Sequence, residues 1–292
     1  MYYLVFGLLY LLSLLPLRVL YLFSDLACWF VYRVKGYRKN VVMQNLAHAF
    51  PEKTEEEREK IAHDFYRLFT DTFIETIKLI SMSKKQVERR GKADTDYLNQ
   101  LIDKGHNIHI LAGHQFNWEF ANLVYASHLK IPFVGVYAPI GNKIFERIFL
   151  RTRARNGTVL ISNREFTTKM HHVFTKQYIL ALAADQNPNK LARSFWVNFM
   201  GRPAPFVVGP GKGAVKNNTA VVYVGFRRVA RGYYEFTTIP VTENGAAHTP
   251  EELTVLYKTA LEKFIRENPS NYLWSHRRWR HEWKPEYGEV LG

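Results

Sequence analysis

The stretch that most constrains the fold is residues 108–122, which reads I-H-I-L-A-G-H-Q-F-N-W-E-F-A-N. An apolar run, 108–112, is followed by Gly113 and then by a mixed polar and aromatic segment. This pattern predicts a buried strand that passes through a tight turn into a helix. His114 would then lie where the strand ends, and Glu119 in the first turns of the helix. Side chains five positions apart do not share one face of a regular helix, so these two can meet only if His114 is in the turn.

A histidine and a carboxylate placed in this way can act as a base and its orienting group. The imidazole of His114 can take a proton from an alcohol near neutral pH, while the carboxylate of Glu119 fixes its tautomer and stabilises the imidazolium. The alternative is that His114 caps the helix and Glu119 is a solvated first-turn acid. Spacing alone favours this alternative, because histidine and glutamate often occur this close by chance.

Length, charge and cysteine content narrow the class of protein. A chain of 292 residues can bury a sizeable core and is near the upper limit for one domain. The formal net charge of +14 predicts a surface that attracts nucleic acid, anionic lipid headgroups or an acidic protein. The single cysteine, Cys28, excludes an internal disulfide framework and a cysteine-rich zinc site, and fits a reducing compartment.

The N-terminal region contains two apolar stretches. Residues 1–17 carry no charged side chain. A run of this length is near the lower limit for a bilayer span, which needs about 20 apolar residues. Arg18 interrupts the run, and a second stretch, 19–34, includes Asp25 and Arg33. Three arrangements remain open: one tilted spanning helix, a helical hairpin that sinks into one leaflet, and a buried pair of core helices.

A group of basic residues follows the second apolar stretch: Arg33, Lys35, Arg38 and Lys39. Basic residues beside a membrane segment favour the cytoplasmic side, which would keep the rest of the chain in the cytoplasm. A cleaved signal peptide is disfavoured because no basic region precedes the first apolar run. We therefore expect an N-terminal membrane anchor and basic collar over residues 1–40 and one catalytic domain over residues 41–292.

Three further stretches carry polar residues that could serve a site. Asp185 and Gln186 directly follow an apolar strand candidate, and α/β enzymes place ligands at such strand ends. The run R-T-R-A-R-N-G, 151–157, sets several guanidinium groups just before another strand candidate, although a solvated basic face has the same pattern. The run N-Y-L-W-S-H-R-R-W, 271–279, interleaves aromatic and cationic residues, as suits cation–π packing or a lipid phosphate.

Several stretches, in order along nearly the whole chain, resemble the late acyltransferases of bacterial lipid A synthesis, a branch of the lysophospholipid acyltransferase superfamily. The segment G-H-Q-F-N-W-E is similar to the H-x4-E signature of that family, where most of the superfamily has H-x4-D. The other matching segments are L-P-L-R-V-L-Y, G-Y-R-K-N-V-V-M-Q-N-L-A-H-A-F-P, D-Q-N-P with F-W-V-N-F-M-G-R-P-A, and N-Y-L-W-S-H-R-R-W. Met200 stands where the family's F-F-G segment has its second aromatic residue.

The resemblance implies a fold and a set of site residues. The fold would be α/β, with a mostly parallel central sheet flanked by helices, like that of glycerol-3-phosphate acyltransferases, and with an N-terminal membrane-anchoring helix. His114 would be the general base and Glu119 its carboxylate. The residues expected to bind substrate or support the site are Arg153, Arg155, Asp185, Gln186, Arg277 and Arg278.

The resemblance also implies a reaction and its partners. The enzyme would move an acyl chain from a thioester on acyl carrier protein or coenzyme A to a hydroxyl of an anionic glycolipid, such as a lipid A precursor. It would work at the cytoplasmic face of the bacterial inner membrane, with no metal, no other cofactor and no nucleic acid. Other acceptors, namely phospholipids, ornithine lipids or phosphoinositide glycolipids, stay open, as does a non-enzymatic lipid-binding module. A metal-assisted hydrolase using His106, His109, His114 and Glu119 is disfavoured, because His106 and His109 would point to opposite faces of a strand.

Overall fold

The computed structural model describes residues 1–292. Its α-helices are α1 (Tyr2–Leu14), α2 (Leu17–Trp29), α3 (Lys39–Ala49), α4 (Glu55–Leu79), α5 (Lys84–Arg90), α6 (Asp96–Asp103), α7 (Trp118–His128), α8 (Lys143–Ala154), α9 (Phe166–Val173), α10 (Gly209–Lys216) and α11 (Pro250–Glu267). Its strands are β1 (Gly91–Ala93), β2 (Ile108–Ala112), β3 (Phe133–Tyr137), β4 (Val159–Ser162), β5 (Ile179–Ala183), β6 (Ser194–Phe199), β7 (Arg202–Val207), β8 (Ala220–Ala230), β9 (Tyr233–Thr242) and β10 (Val290–Leu291).

Seven strands form the central sheet, in the order β1-β9-β8-β2-β5-β3-β4. All neighbouring pairs are parallel except β8 and β9, which are antiparallel. A smaller sheet contains β10, β6 and β7. The prediction of an α/β fold with a mostly parallel sheet flanked by helices is therefore confirmed.

Both faces of the sheet are covered, which explains why its central strands are mostly apolar. On one face, Ile108 and Ile110 of β2 pack in a cluster with Phe120 of α7. On the other face, Leu111 of the same strand packs in a cluster with Tyr257 of α11. Because β2, β5 and β3 are mutually parallel, their carboxyl ends lie at one edge of the sheet. Residues that follow these strands are therefore brought together.

The two N-terminal helices are bent relative to one another by 111° and pack on the long helix α4. Lys78 of α4 donates hydrogen bonds to the carbonyls of Ser13 and Leu15, at 2.7 and 3.0 Å, and so holds the bend between them. Ser24 of α2 donates to the buried carboxylate of Asp71 at 2.7 Å. At the start of α4 the side chain of Thr54 accepts a hydrogen bond from the amide of Glu57 and so caps the helix.

No helix of this protein taken alone is long and apolar enough to cross a bilayer. Only the bent pair, Tyr2–Leu14 with Leu17–Val34, reaches the length and apolar character of a span when its two parts are taken together. The anchoring role expected for residues 1–40 thus stays a prediction. Large apolar side chains are exposed along this pair: Leu4, Leu8, Leu11, Leu22, Phe23, Leu26 and Trp29.

Candidate active site

The turn after β2 places His114 at the carboxyl edge of the sheet, as the sequence pattern predicted. Gly113 packs closely there, because a Cβ atom at this position would lie 2.6 Å from Cδ1 of Leu261 and would displace that side chain. The hydroxyl of Tyr257 donates to the carbonyl of Ala112 at 2.9 Å, and so fixes the end of the strand. The position of His114 is therefore set by close packing against α11.

His114 pairs with Asp185. Asp185 follows β5, whose last residue, Ala183, lies beside Ala112 of β2 in the parallel register. One carboxylate oxygen of Asp185 lies 2.5 Å from Nδ1 of His114, and the other accepts the backbone amide of His114 at 2.9 Å. The Asp185 side chain is 1% exposed and the His114 side chain 25% exposed. A carboxylate in this position fixes the tautomer that carries the proton on Nδ1, which leaves Nε2 free to accept one.

Glu119, which was expected to orient His114, forms its hydrogen bonds with other residues. Glu119 lies in the first turn of α7, and its carboxylate accepts three hydrogen bonds from Arg153, at 2.9 and 3.2 Å from Nε and 2.6 Å from Nη2. It also accepts from Nε1 of Trp118 at 3.1 Å. The carboxylate is therefore paired with Arg153 of α8, and no hydrogen bond joins it to the imidazole.

The two arginines that the sequence left undistinguished have different surroundings. Arg153 is held by Glu119 and lines the same cavity as His114. Arg155 lies at the end of α8 and donates to the backbone carbonyl of Leu79 at 2.6 Å. The geometry thus favours Arg153 as the arginine that can reach a substrate, and gives Arg155 a contact that ties α8 to α4.

A cavity of about 320 Å³ lies between α7 and strands β2, β3 and β5. The side chains of His114, Glu119 and Arg153 share it with a wall that is mostly apolar. The buried residues of that wall include Ile110, Ala121, Tyr125, Phe133 and Phe226. A mostly apolar cavity with a few convergent polar groups is suited to a ligand that has a long apolar part and one reactive group.

The carboxylate of Asp185 changes the titration of the imidazole. Burial by itself would lower the pKa of His114, but the charge of Asp185 and its hydrogen bond outweigh burial and raise the pKa above its ordinary value of 6.5. Burial would raise the pKa of Asp185, yet the neighbouring imidazole lowers it. The ring is therefore a stronger base than a free histidine, and Asp185 stays ionised while the ring takes up a proton.

The C-terminal segment supports the residues that follow β5. Arg278 is buried, and its Nη1 donates to Oδ1 of Asn187 at 2.8 Å, while Nδ2 of Asn187 donates to the carbonyl of Arg277 at 2.9 Å. The guanidinium of Arg278 lies over the Phe206 ring, 4.4 Å from its centre. Arg278 thus braces the segment that contains Asp185, half-buried Gln186 and Asn187, whereas the side chain of Arg277 is exposed.

Residues that the sequence did not single out hold the turn that contains His114. Asn271 accepts the amide of Phe116 at 2.6 Å and donates to the carbonyl of Phe226. Tyr223 of β8 donates to the side chain of Gln115 at 3.1 Å. Asn271 is the first residue of the N-Y-L-W-S-H-R-R-W segment. The interpretation of that segment rested on its cationic and aromatic residues and gave Asn271 no role.

The proposed ligand set for a metal-assisted hydrolase does not assemble. No group of three or more histidine, cysteine, aspartate or glutamate side chains is placed to hold a metal ion. His109 is buried and lines a different cavity from that of His114. The histidines of this region therefore have separate surroundings.

Comparison with known proteins gives two kinds of match. The sequence model of the family described as bacterial lipid A biosynthesis acyltransferase matches residues 1–281. Among curated proteins, the chain is 24% identical over 251 residues to the lipid A biosynthesis palmitoleoyltransferase of Escherichia coli (strain K12), covering 83% of this chain and 79% of the relative. The lipid A biosynthesis acyltransferase of Shigella flexneri matches with the same identity and coverage.

Proposed function

Because this chain belongs to the bacterial lipid A biosynthesis acyltransferase family and is an acyltransferase, we propose that it transfers a fatty acyl chain from a thioester to a hydroxyl of a lipid A precursor or a related anionic glycolipid. The observation that carries the proposal is the pair of His114 and Asp185 on a mostly apolar cavity. The cavity would hold the alkyl chain, and the pair would activate the hydroxyl.

His114 acts as the general base. Its Nδ1–H bond is directed to Asp185, so Nε2 takes the proton of the acceptor hydroxyl as that oxygen attacks the thioester carbonyl carbon. A tetrahedral intermediate forms, the carbon–sulfur bond breaks, and the departing sulfur receives the proton from Nε2. The products are an ester and a free thiol, and the histidine returns to its starting state. Asp185 stabilises the imidazolium between the two proton transfers.

Arg153 supplies positive charge to the same cavity. Glu119 engages Nε and Nη2 of its guanidinium, which leaves Nη1 without a hydrogen bond within the protein. We propose that Nη1 donates a hydrogen bond to the thioester oxygen, where negative charge develops, or to a phosphate of the acceptor. Glu119 is then a positioning residue, because it fixes the orientation of Arg153 and forms no hydrogen bond with the imidazole.

The N-terminal helices contact the helix that bears Arg153. The guanidinium groups of Arg147 and Arg151 in α8 lie over the rings of Tyr2 and Phe6 in α1, at 4.1 and 5.0 Å from the ring centres. The helix that carries Arg153 is therefore in contact with the helix whose apolar side chains are exposed. We propose that α1 and α2 lie in the cytoplasmic leaflet of the bacterial inner membrane, with the basic collar at its surface.

Charge complementarity supports the proposed partners. The net charge of +14 favours an acceptor that carries phosphate groups and a donor whose carrier is acidic or phosphorylated, such as acyl carrier protein or coenzyme A. Both donors present the acyl chain as a thioester, which is the group the mechanism uses. The other acceptors considered from the sequence also combine a hydroxyl with an anionic headgroup.

The test is acyl transfer by His114→Ala in lipid vesicles, with acyl carrier protein and coenzyme A thioesters supplied separately and a lipid A precursor as acceptor. The variant should lose transfer while keeping its circular dichroism spectrum and vesicle binding. His171→Ala, on the exposed side of α9, is the matched control and should keep full activity. Undiminished transfer by His114→Ala would overturn the proposal, and mass spectrometry of lipids from cells lacking the protein would identify the acceptor.

A further inference from the structure

A second cavity, of about 280 Å³, lies on the opposite face of the sheet from the first. It runs between α9 and α10 and is walled by apolar residues that include Phe166, Met170, Leu180 and Leu182. The mechanism proposed above uses none of this space. The only ionisable side chain in its wall is that of His109.

His109 is 2% exposed and neither of its ring nitrogens has a hydrogen-bond partner of normal geometry. The carbonyl of Pro210 lies near the ring and favours its protonated form, but burial dominates and lowers the pKa of His109 to about 4. The ring is therefore neutral at physiological pH, with one N–H donor and one acceptor nitrogen. Buried polar groups in proteins are nearly always paired, so an imidazole that lines a cavity with only the Pro210 carbonyl near it points to a missing partner.

The outer wall of this cavity is loosely packed. Helix α9 contributes Phe166 and Met170, and none of its residues is fully buried. Methionine and phenylalanine side chains on such a helix can move to accept a chain of variable shape. The inner wall is formed by strands β2 and β5, which lie in the centre of the sheet.

The two cavities approach each other at the edge of the sheet where His114 lies. Val136, Leu182 and Ala183, at the carboxyl ends of β3 and β5, line both of them. A chain in the second cavity would therefore extend from His109 towards the reactive edge. The sheet separates this chain from one held in the first cavity.

We propose that the second cavity binds an alkyl chain that carries one neutral hydrogen-bonding group, a hydroxyl or a carbonyl, which pairs with His109. The apolar walls fit the alkyl part, and the neutral imidazole fits the polar group. A carboxylate or phosphate does not fit, because no lysine or arginine lines the cavity to neutralise it. Such a chain could belong to the lipid acceptor or to a separate amphiphile.

Photolabelling of the full chain in phosphatidylcholine nanodiscs tests this site. The probe is a long-chain alcohol with a diazirine near its end, and labelled peptides are identified by mass spectrometry. We expect label in the peptides of α9 and α10, protection by n-octanol, and weaker protection by n-octyl chloride, which has the chain without the hydroxyl. The variant His109→Phe has an aromatic ring at this position but no ring nitrogen. In this variant n-octanol should protect about fivefold less well, while protection by n-octyl chloride should not change.

A second variant keeps the test independent of how His109→Phe folds. Met170→Trp fills the cavity from the loosely packed helix and should abolish label in α9 while leaving label in the peptide of α7, at the first cavity. If the chain belongs to the acceptor, Met170→Trp should also raise the KM for the acceptor; if it belongs to a separate amphiphile, that KM should not change. Label confined to α7, or equal protection by n-octanol and n-octyl chloride in both wild type and His109→Phe, would overturn the proposal. Either result would leave the role of His114 intact.

Discussion

Nδ1 of His114 lies 2.5 Å from Oδ1 of Asp185, although the two residues are 71 positions apart in the sequence. They meet because they follow adjacent parallel strands, β2 and β5, at the same edge of the sheet. The Asp185 carboxylate also accepts the backbone amide of His114, so it fixes both the ring and the turn that carries it. This pair, and not His114 with Glu119, forms the centre of the proposed site.

Asp185→Asn should reduce acyl transfer about a thousandfold. The amide keeps the size of the side chain but removes the charge that stabilises the imidazolium, and it allows the ring to adopt the other tautomer. The measurement is kcat with saturating thioester in vesicles. Asp103→Asn, at an exposed position at the end of α6, is the matched control and should keep full activity. A loss of only a few-fold in Asp185→Asn would mean that the carboxylate is structural.

Glu119→Gln should lower kcat about a hundredfold by releasing the Arg153 guanidinium from its fixed orientation. Because the imidazole is hydrogen-bonded to Asp185 and not to Glu119, this variant should leave the acid limb of the pH profile unchanged. In a double-mutant cycle with Arg153→Gln, the two losses should be strongly non-additive, since the residues act as one unit. Additive losses would show that Glu119 and Arg153 act separately. A shifted acid limb in Glu119→Gln would show that Glu119 acts on His114, as the sequence suggested.

Ala121→Phe should shift the enzyme towards shorter acyl chains. Ala121 is buried in the wall of the first cavity, so a phenyl ring there occupies space assigned to the alkyl chain. The measurement is the ratio of kcat/KM values for a series of thioesters of increasing chain length. Ala154→Phe, at an exposed position at the end of α8, is the matched control and should keep the wild-type profile. An unaltered profile in Ala121→Phe would show that the acyl chain lies elsewhere.

Replacing Leu22 and Leu26 by glutamate should weaken binding to anionic vesicles. Both side chains are exposed on α2, and burying each leucine in lipid contributes roughly 1.5–3 kcal/mol, so the double variant should bind at least about a hundredfold less. Vesicle sedimentation measures this directly. Glu56→Leu, at an exposed position in α4, is a control for the general effect of changing a surface side chain. Unchanged binding by the double variant would place the lipid-facing surface elsewhere.

The sequence predicted local structure well, because hydrophobic pattern and turn residues act over short distances. The run 108–112, Gly113 and the segment after it form the predicted strand, turn and helix, with His114 in the turn. The two N-terminal apolar stretches are also helices, although the break between them lies at Leu15 and Pro16 and not at Arg18. A proline ends a helix more strongly than an arginine does, and this explains the difference.

The pairing of side chains across the sheet could not be predicted from the same pattern. Asp185 was expected only to support the site, because nothing in a linear sequence shows that β5 lies beside β2. Arg153 and Arg155 lie two residues apart near the end of one helix, and only the position of α7 and α4 around that helix separates their roles. Strand order and helix packing determine which of these side chains pair, and the motifs do not contain that information.

The most direct test of the central claim is the dependence of kcat/KM on pH in wild type and in Asp185→Asn. The base must be unprotonated, so the rate should fall as pH falls through the pKa of His114, which Asp185 raises. Without that charge, burial alone acts on the ring and lowers its pKa, so the acid limb of Asp185→Asn should lie at lower pH than that of the wild type. An acid limb at the same pH in both proteins would contradict the assignment of His114, paired with Asp185, as the base.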